Sequence, residues 1–246
     1  MPNIVFNYIN STMQNVLITG ASKGMGRAIA TAFAKEGLNL ALCSRNEKEL
    51  LALRDELLAI NPGIKVAIRQ TDTSDKADIK AFAAFAQQQL GFINVIVNNV
   101  GTYIHQSILD DEEDTFNKLI NTNLLPAYEL YRFFGKTMMG AKSGHFFNTC
   151  SVAAIDPVMQ AGTYSVTKFA LLGLTKVMRL EMQAHNVKVT AILPGSTFTE
   201  SWKDSNLLPD LFVSPGDVAA AIICAYKMSA GANVDEIVIK PVGGQL

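Results

Sequence analysis

The sequence predicts an α/β fold: a single domain built on a doubly wound, seven-stranded parallel sheet with helices on both faces. Apolar runs of strand length alternate with segments of helical periodicity from residue 15 to residue 240. The runs are apolar at successive positions rather than at alternate ones, as strands must be when helices cover the sheet on each side. A glycine-rich turn follows the first run and opens the first helical segment.

In chain order, strands are expected at 15–20 (NVLITG), 38–44 (LNLALCS), 64–70 (IKVAIRQ), 94–99 (NVIVNN), 144–151 (GHFFNTCS), 187–193 (VKVTAIL) and 235–240 (DEIVIK). Helices are expected between them at 25–36, 46–60, 75–90, 113–140, 162–184 and 215–229. Gly37, Gly63 and Gly91 follow three of these helices, where a residue that tolerates positive φ ends a helix cleanly. Asn46 and Ser74 are placed to cap two others. No linker, repeat or low-complexity tract breaks the alternation, so one domain is expected over 14–246. Residues 1–13 read as an N-terminal extension, with Met13 as an alternative start.

Hydrophobic residues make up 49% of the chain and charged residues 17%, the composition of a well-buried globular protein. A net charge of -1 without a basic run gives no electrostatic footprint for nucleic acid or for a membrane surface. The N-terminal stretch lacks a basic region followed by an apolar core, and no apolar run has membrane-spanning length, so a cytoplasmic protein is expected. Cys43, Cys150 and Cys224 are widely spaced in apolar segments and read as reduced core thiols. His105, His145 and His185 show no metal-ligand spacing with one another or with any cysteine, so no metal site is expected.

The turn "TGASKGMG" (19–26) carries Gly20, Gly24 and Gly26 between a strand and a helix. Glycines there allow a tight turn and a close approach of backbone to a pyrophosphate, which the positive end of the helix attracts. About twenty residues on, a site for NAD(H) would carry an acid to bind the ribose 2′-hydroxyl. This chain has Ser44 and Arg45 instead, and Lys23 inside the turn adds a second positive charge. A guanidinium suits a 2′-phosphate, so NADP(H) is favoured over NAD(H), with Arg45 as a plain strand-end cap the lesser alternative. Further on, Tyr164 and Lys168 are four residues apart in a helical segment and share a face. By spacing alone, an amphipathic surface pair is the favoured reading.

The order and spacing of six segments resemble the short-chain dehydrogenase/reductase family over nearly the whole chain after residue 13. They are "TGASKGMG" (19–26), "NNVG" (98–101), Asn123 in "NTNLL", Ser151 in "TCSVAA", "YSVTK" (164–168) and "PGSTFT" (194–199). The resemblance implies a Rossmann fold and a nicotinamide dinucleotide held along the carboxyl edge of the sheet. Gly20, Ser22, Lys23, Gly24, Met25 and Gly26 would cradle its phosphates, and Ser44 and Arg45 would meet the adenosine ribose. Asp72 and Thr73 would meet the adenine, where Asp72 could also cap a helix. Asn98, Val100 and Gly101 would line the cleft, and Pro194, Gly195, Thr197 and Thr199 would hold the nicotinamide end. Catalysis would fall to Tyr164 as general acid/base, with Lys168 tuning it and holding ribose. Ser151 would bond the substrate oxygen, and Asn123 would hold a water that relays protons. Val100 departs from the family's usual alanine and should crowd the cleft slightly. No GxSxG elbow surrounds Ser151, so a hydrolytic role for it is not supported.

Hydride transfer to a carbonyl leaves an oxyanion that needs a proton, and a phenol gives one readily only if its pKa falls from about 10 towards neutrality. A neighbouring ammonium pulls in that direction, so a lowered pKa is expected for Tyr164. The substrate is expected to be a small carbonyl compound or alcohol. Its pocket would be lined by Tyr103, Ile104, His105, residues 152–158, Trp202, Leu207, Leu208, Leu211 and Phe212. Two other readings stand beside this one. The first is reduction of 3-oxoacyl groups on acyl carrier protein, docked through Lys142 and Lys188, with His185 where such relatives carry arginine. The second is a regulatory NADP-binding protein without catalysis. A homo-oligomer, dimer or tetramer, is expected from apolar residues around the two long helices: Phe116, Leu119, Leu124, Tyr128, Phe133, Phe169, Leu172 and Val177.

Overall fold

The computed structural model describes residues 14–202 and 207–245, so the expected extension at 1–13 lies outside the described residues. The strands are β1 (Asn15–Thr19), β2 (Asn39–Ser44), β3 (Val66–Gln70), β4 (Val95–Asn98), β5 (His145–Thr149), β6 (Lys188–Pro194) and β7 (Glu236–Ile239). They form one sheet in the order β3-β2-β1-β4-β5-β6-β7, and every pairing is parallel. The chain winds outward from β1 to β3, returns to lay β4 beside β1, and winds outward again to β7.

Burial explains the apolar runs. Every residue of β1 and β2 is buried, whereas β3 and β7, at the two edges, are partly exposed. Successive residues of β1 serve opposite faces. Val16 and Ile18 pack with Ile29, Phe33, Leu50, Leu53 and Ile222 from α1 (Gly24–Lys35), α2 (Glu47–Ile60) and α7 (Pro215–Tyr226). Leu17 between them packs with Phe82, Phe134 and Met178 from α3 (Lys76–Leu90), α5 (Leu125–Ala141) and α6 (Gly162–Met182). A strand with both neighbours so covered has no polar face to offer, and each fully buried side chain of this size contributes roughly 1.5–3 kcal/mol.

The structure corrects three local expectations. The helix expected over 113–140 is two helices, α4 (Thr115–Asn123) and α5, which meet at Leu124. Pro126 causes the break, because it has no N–H to give to the carbonyl of Thr122 and its ring crowds that carbonyl. The cap of α3 is Asp75, whose carboxylate accepts from the N–H groups of Ala77 and Asp78. Ser74 is instead committed to Asp72. Of the three thiols, Cys43 and Cys150 are buried as expected but Cys224 is exposed, because it lies on the outer side of α7. Among the described residues no helix is long and apolar enough to cross a membrane.

Candidate active site

The loops after β1 and β4 meet where the winding reverses direction, and side-chain amides lace them together. Thr19 Oγ1 accepts from the backbone N–H groups of Asn99 (3.0 Å) and Val100 (3.1 Å). Asn99 Nδ2 in return donates to the carbonyls of Thr19 and Gly20, both at 3.1 Å. The glycines of the turn are dictated by geometry. Gly20 and Gly24 have φ of +63° and +50°, and a Cβ on Gly26 would stand 2.1 Å from the Gly20 carbonyl oxygen. The first turn of α1 carries no acid, and no side chain caps its N-terminus. Its N–H groups therefore face the cleft as an anion-binding end.

A cleft of about 300 Å³ opens beside this turn, lined by Gly20, Ser22, Lys23, Ser44, Arg45, Asp72, Thr73 and Val100 among the residues expected there. Asp72 folds into a local turn, accepting from Ser74 N (3.0 Å) and Ser74 Oγ (2.7 Å), and those bonds lower its carboxyl pKa. Asn46, Glu49, Thr71, Ser74, Thr102 and Thr122 complete the lining; of these the sequence marked only Asn46 and Ser74, and those as helix caps. Glu49 is the consequential one: it pairs with Lys23 at 2.9 Å and accepts from Ser22 Oγ at 3.0 Å. Its position three residues after the Asn46 cap was the available signal.

Two expected cleft residues face elsewhere. Asn98 is buried and donates from Nδ2 to Asn148 Oδ1 of the neighbouring strand at 2.7 Å, because the last residue of β4 is held inside the sheet. Met25 turns its side chain to the core beneath α1, leaving only its backbone at the turn. Past β6, Thr199 closes over the glycine turn, its methyl 3.2 Å from where a Cβ on Gly24 would lie. Pro194 ends β6; Thr197 Oγ1 donates to the Gly195 carbonyl at 2.9 Å; Gly195 lies against the side chain of Gln245.

The second cluster lies on the same carboxyl edge. Ser151 follows β5, and its hydroxyl accepts from Ala153 N at 3.1 Å and lies close enough to the Tyr164 hydroxyl to act on that phenol. Lys168 is buried, donates to the Thr149 carbonyl at 2.9 Å, and stands 5.6 Å from the centre of the Tyr164 ring. Gly101 is pressed against both partners: a Cβ there would lie 3.3 Å from Lys168 Nζ and 3.5 Å from Asn123 Oδ1. Asn123 latches the loop after β4 to α6. Its Oδ1 accepts from Thr102 N (2.8 Å), and its Nδ2 gives one hydrogen to the Thr102 carbonyl (3.1 Å) and one to Thr167 Oγ1 (3.0 Å).

The electrostatics also differ from expectation. Burial pushes the Tyr164 phenol above its ordinary pKa, against the pull of the Ser151 hydroxyl. Burial lowers Lys168 to about 8. Nearness of an ammonium predicted a lowered phenol, but both groups lack water, and in each the neutral form gains from burial.

Tyr103 sits edge-on to Tyr164 with ring centroids 4.9 Å apart, and His105 lies 6.3 Å from Tyr103. Phe212 contacts Trp202 (4.9 Å) and Phe198 (5.4 Å), an aromatic cluster in the segment after β6. Lys142 precedes β5, His185 precedes β6 and Lys188 begins it, so they lie at the amino edge of the sheet, away from both clusters. Lys188 is moreover tied to the carbonyls of Met228 (2.9 Å) and Ser229 (2.7 Å).

A doubly wound parallel sheet with a glycine turn at its reversal point and a serine, tyrosine and lysine gathered on the same edge defines a Rossmann-fold oxidoreductase. The model of the short chain dehydrogenase family matches residues 14–208, and the chain belongs to that family. Sepiapterin reductase of Chlorobaculum tepidum is 33% identical over 239 residues, covering 94% of this chain and 97% of the relative. An uncharacterized oxidoreductase of Staphylococcus aureus is 29% identical over 226 residues, covering 92% and 96%. Among solved structures, the alcohol dehydrogenase of the archaeon Thermococcus sibiricus, complexed with 5-hydroxy-NADP, is similar with a TM-score of 0.87 at 25% identity, covering 95% of this chain and 99% of that one. L-Sorbose reductase of Gluconobacter frateurii, complexed with NADPH and L-sorbose, has the same TM-score and identity, covering 95% and 97%.

Proposed function

We propose that this chain is an NADP(H)-dependent oxidoreductase that interconverts a carbonyl and a secondary alcohol on a small molecule, with Tyr164 as general acid/base. The observation that carries the reading is the gathering of Ser151 and Tyr164 beside Lys168, a buried lysine anchored to the Thr149 carbonyl and 5.6 Å from the Tyr164 ring. The dinucleotide fits the chain's own features. The N-terminus of α1 is free of acids and of side-chain caps, and the glycine turn leaves no room for a Cβ. Arg45 and Lys23 supply positive charge at the adenosine end. Gly20, Ser22, Gly24 and Gly26 would hold the pyrophosphate, Asp72 and Thr73 the adenine, Tyr164 and Lys168 the ribose, and Gly195, Thr197 and Thr199 the nicotinamide. Once bound, the cofactor supplies or accepts the hydride.

The chain does the rest. The substrate oxygen is held between the Ser151 and Tyr164 hydroxyls, and Tyr164 gives it a proton as it gains negative charge. A raised phenol pKa keeps Tyr164 protonated at neutral pH, the form that carbonyl reduction needs. Lys168, at about 8, still carries its charge at neutral pH and stabilises the phenolate that remains. Asn123, through Thr102 and Thr167, fixes the loop after β4 against α6, and so fixes Gly101 beside Lys168. Tyr103, Trp202 and Phe212 favour an apolar or aromatic carbonyl compound. Because of the relative from C. tepidum, sepiapterin is the first substrate to try, followed by ketoses and 3-oxoacyl thioesters.

The test is NADPH consumption by the purified chain over that panel, repeated with Tyr164→Phe. Loss of the hydroxyl should cut turnover by at least about 10² while NADPH affinity holds. A Tyr164→Phe variant that keeps more than about a tenth of wild-type turnover refutes the general-acid role. The same result separates this reading from a cofactor sensor, for which the hydroxyl is dispensable.

A further inference from the structure

The cleft beside the glycine turn holds an acid as well as two bases. Glu49 reaches into it from the first turn of α2, with its side chain about one-third exposed. Its two oxygens are both used: Oε1 pairs with Lys23 at 2.9 Å and Oε2 accepts from Ser22 Oγ at 3.0 Å. Lys23 is thereby turned to a carboxylate in the part of the cleft that Ser44, Arg45 and Asn46 also line.

We infer that Glu49 is a selectivity-determining residue of the cofactor cleft: it competes with a 2′-phosphate for Lys23, and so narrows the preference for NADPH over NADH. This rests on the reading of the cleft as an adenine dinucleotide site. The chemistry follows from charge. A ribose 2′-phosphate brings close to two negative charges at neutral pH, and it meets Arg45 held in no ion pair among the described residues but Lys23 already paired with a carboxylate. Seating it requires Lys23 to leave Glu49, or Glu49 to stay as a like charge nearby, and both cost binding free energy. A ribose 2′-hydroxyl brings no charge and leaves the Lys23–Glu49 pair intact. The hydrogen bond from Lys23 is the first cause of a lowered Glu49 pKa, so the acid stays ionised at neutral pH and the competition persists there. Ser44, at the end of β2, carries no acid of its own, which leaves Glu49 as the carboxylate among the cleft residues nearest the turn.

Glu49→Gln keeps the shape and the acceptor for Ser22 while removing the charge. Dissociation constants for NADPH, NADH and 2′,5′-ADP are measured by calorimetry or fluorescence, on wild type and variant, with no substrate present. NADPH and 2′,5′-ADP should bind about tenfold more tightly to the variant, and NADH should change little, so that the NADPH/NADH ratio widens by about tenfold. In a Lys23→Met background the same substitution should give a clearly smaller gain, because the competition runs through Lys23. A ratio that moves by less than about threefold, or moves towards NADH, overturns the inference while leaving the cofactor assignment standing. An equal gain in the Lys23→Met background overturns the route through Lys23. Wild-type protein that binds neither dinucleotide overturns both this inference and the function on which it rests.

Discussion

Arg45 stands exposed at the cleft, its backbone carbonyl held by Gln70 Nε2 at 2.9 Å while its guanidinium is engaged by none of the described side chains in an ion pair. Arg45→Ala should therefore weaken NADPH far more than NADH, shrinking the difference by roughly 1–3 kcal/mol; equal binding of both cofactors to the wild type would refute the assignment. Gly101 gives a steric test of the other cluster. An added methyl meets Lys168 Nζ at 3.3 Å and Asn123 Oδ1 at 3.5 Å, and Lys168 is anchored to Thr149 and cannot simply swing away. Gly101→Ala should lower turnover by about tenfold through misplacement of a few tenths of an ångström, while melting close to wild type. Lys168 also sets a pH profile. Its charge is lost as pH rises through about 8, so kcat/KM for the cofactor, which reports groups of the free enzyme, should fall across that pH in the direction of carbonyl reduction. A flat profile from pH 7 to 9 would remove Lys168 from that role.

At the scale of elements, β5 and β6 carry a second titration. His145 on β5 is buried, stacks on Phe147 with ring centroids 3.8 Å apart, and shares a hydrogen bond of 2.8 Å with Thr190 on β6. Burial holds its pKa down to about 3, so the folded chain keeps it neutral while the unfolded chain protonates it near 6.5. Stability from this group is complete above about pH 6.5 and falls as pH drops towards 3, costing about 2 kcal/mol between pH 7 and pH 5. Denaturant unfolding at those two pH values should show that loss in the wild type and a smaller one in His145→Gln. The seven strands were legible because two-sided burial writes itself as an unbroken apolar run. The break between α4 and α5 was not, because the buried stripe of Leu119, Asn123, Ala127 and Leu130 carries on across it and only Pro126 marks it. Ser74 and Asp75 could both cap α3, and the choice turned on Asp72 claiming Ser74. The residues of the site were legible from their order, but their electrostatics were not. Spacing shows that Lys168 is near Tyr164; it does not show that burial outweighs the attraction.

For the whole molecule, the apolar surface of α4, α5 and α6 sorts into two sets. Leu119 and Leu172 are core residues and Leu124 and Phe133 are half-buried, whereas Phe116, Tyr128, Phe169 and Val177 are each about half exposed. Four large side chains left in water on neighbouring helices support a homo-oligomer, so light scattering at micromolar concentration should report at least a dimer, and a monomeric mass would count against it. The lacing of the loops after β1 and β4 bears on how the molecule is made. Thr19 and Asn99, which hold the cleft's two walls together, are 80 residues apart in the chain. β1 therefore emerges from synthesis with β2 and β3 on one side and a bare row of backbone donors and acceptors on the other, until β4 has been made. Long-range parallel pairing of this kind forms slowly, on the scale of milliseconds to seconds. The interval leaves a fully buried, apolar strand edge open to wrong partners, so yield during expression should rise when synthesis is slowed or a chaperone is supplied.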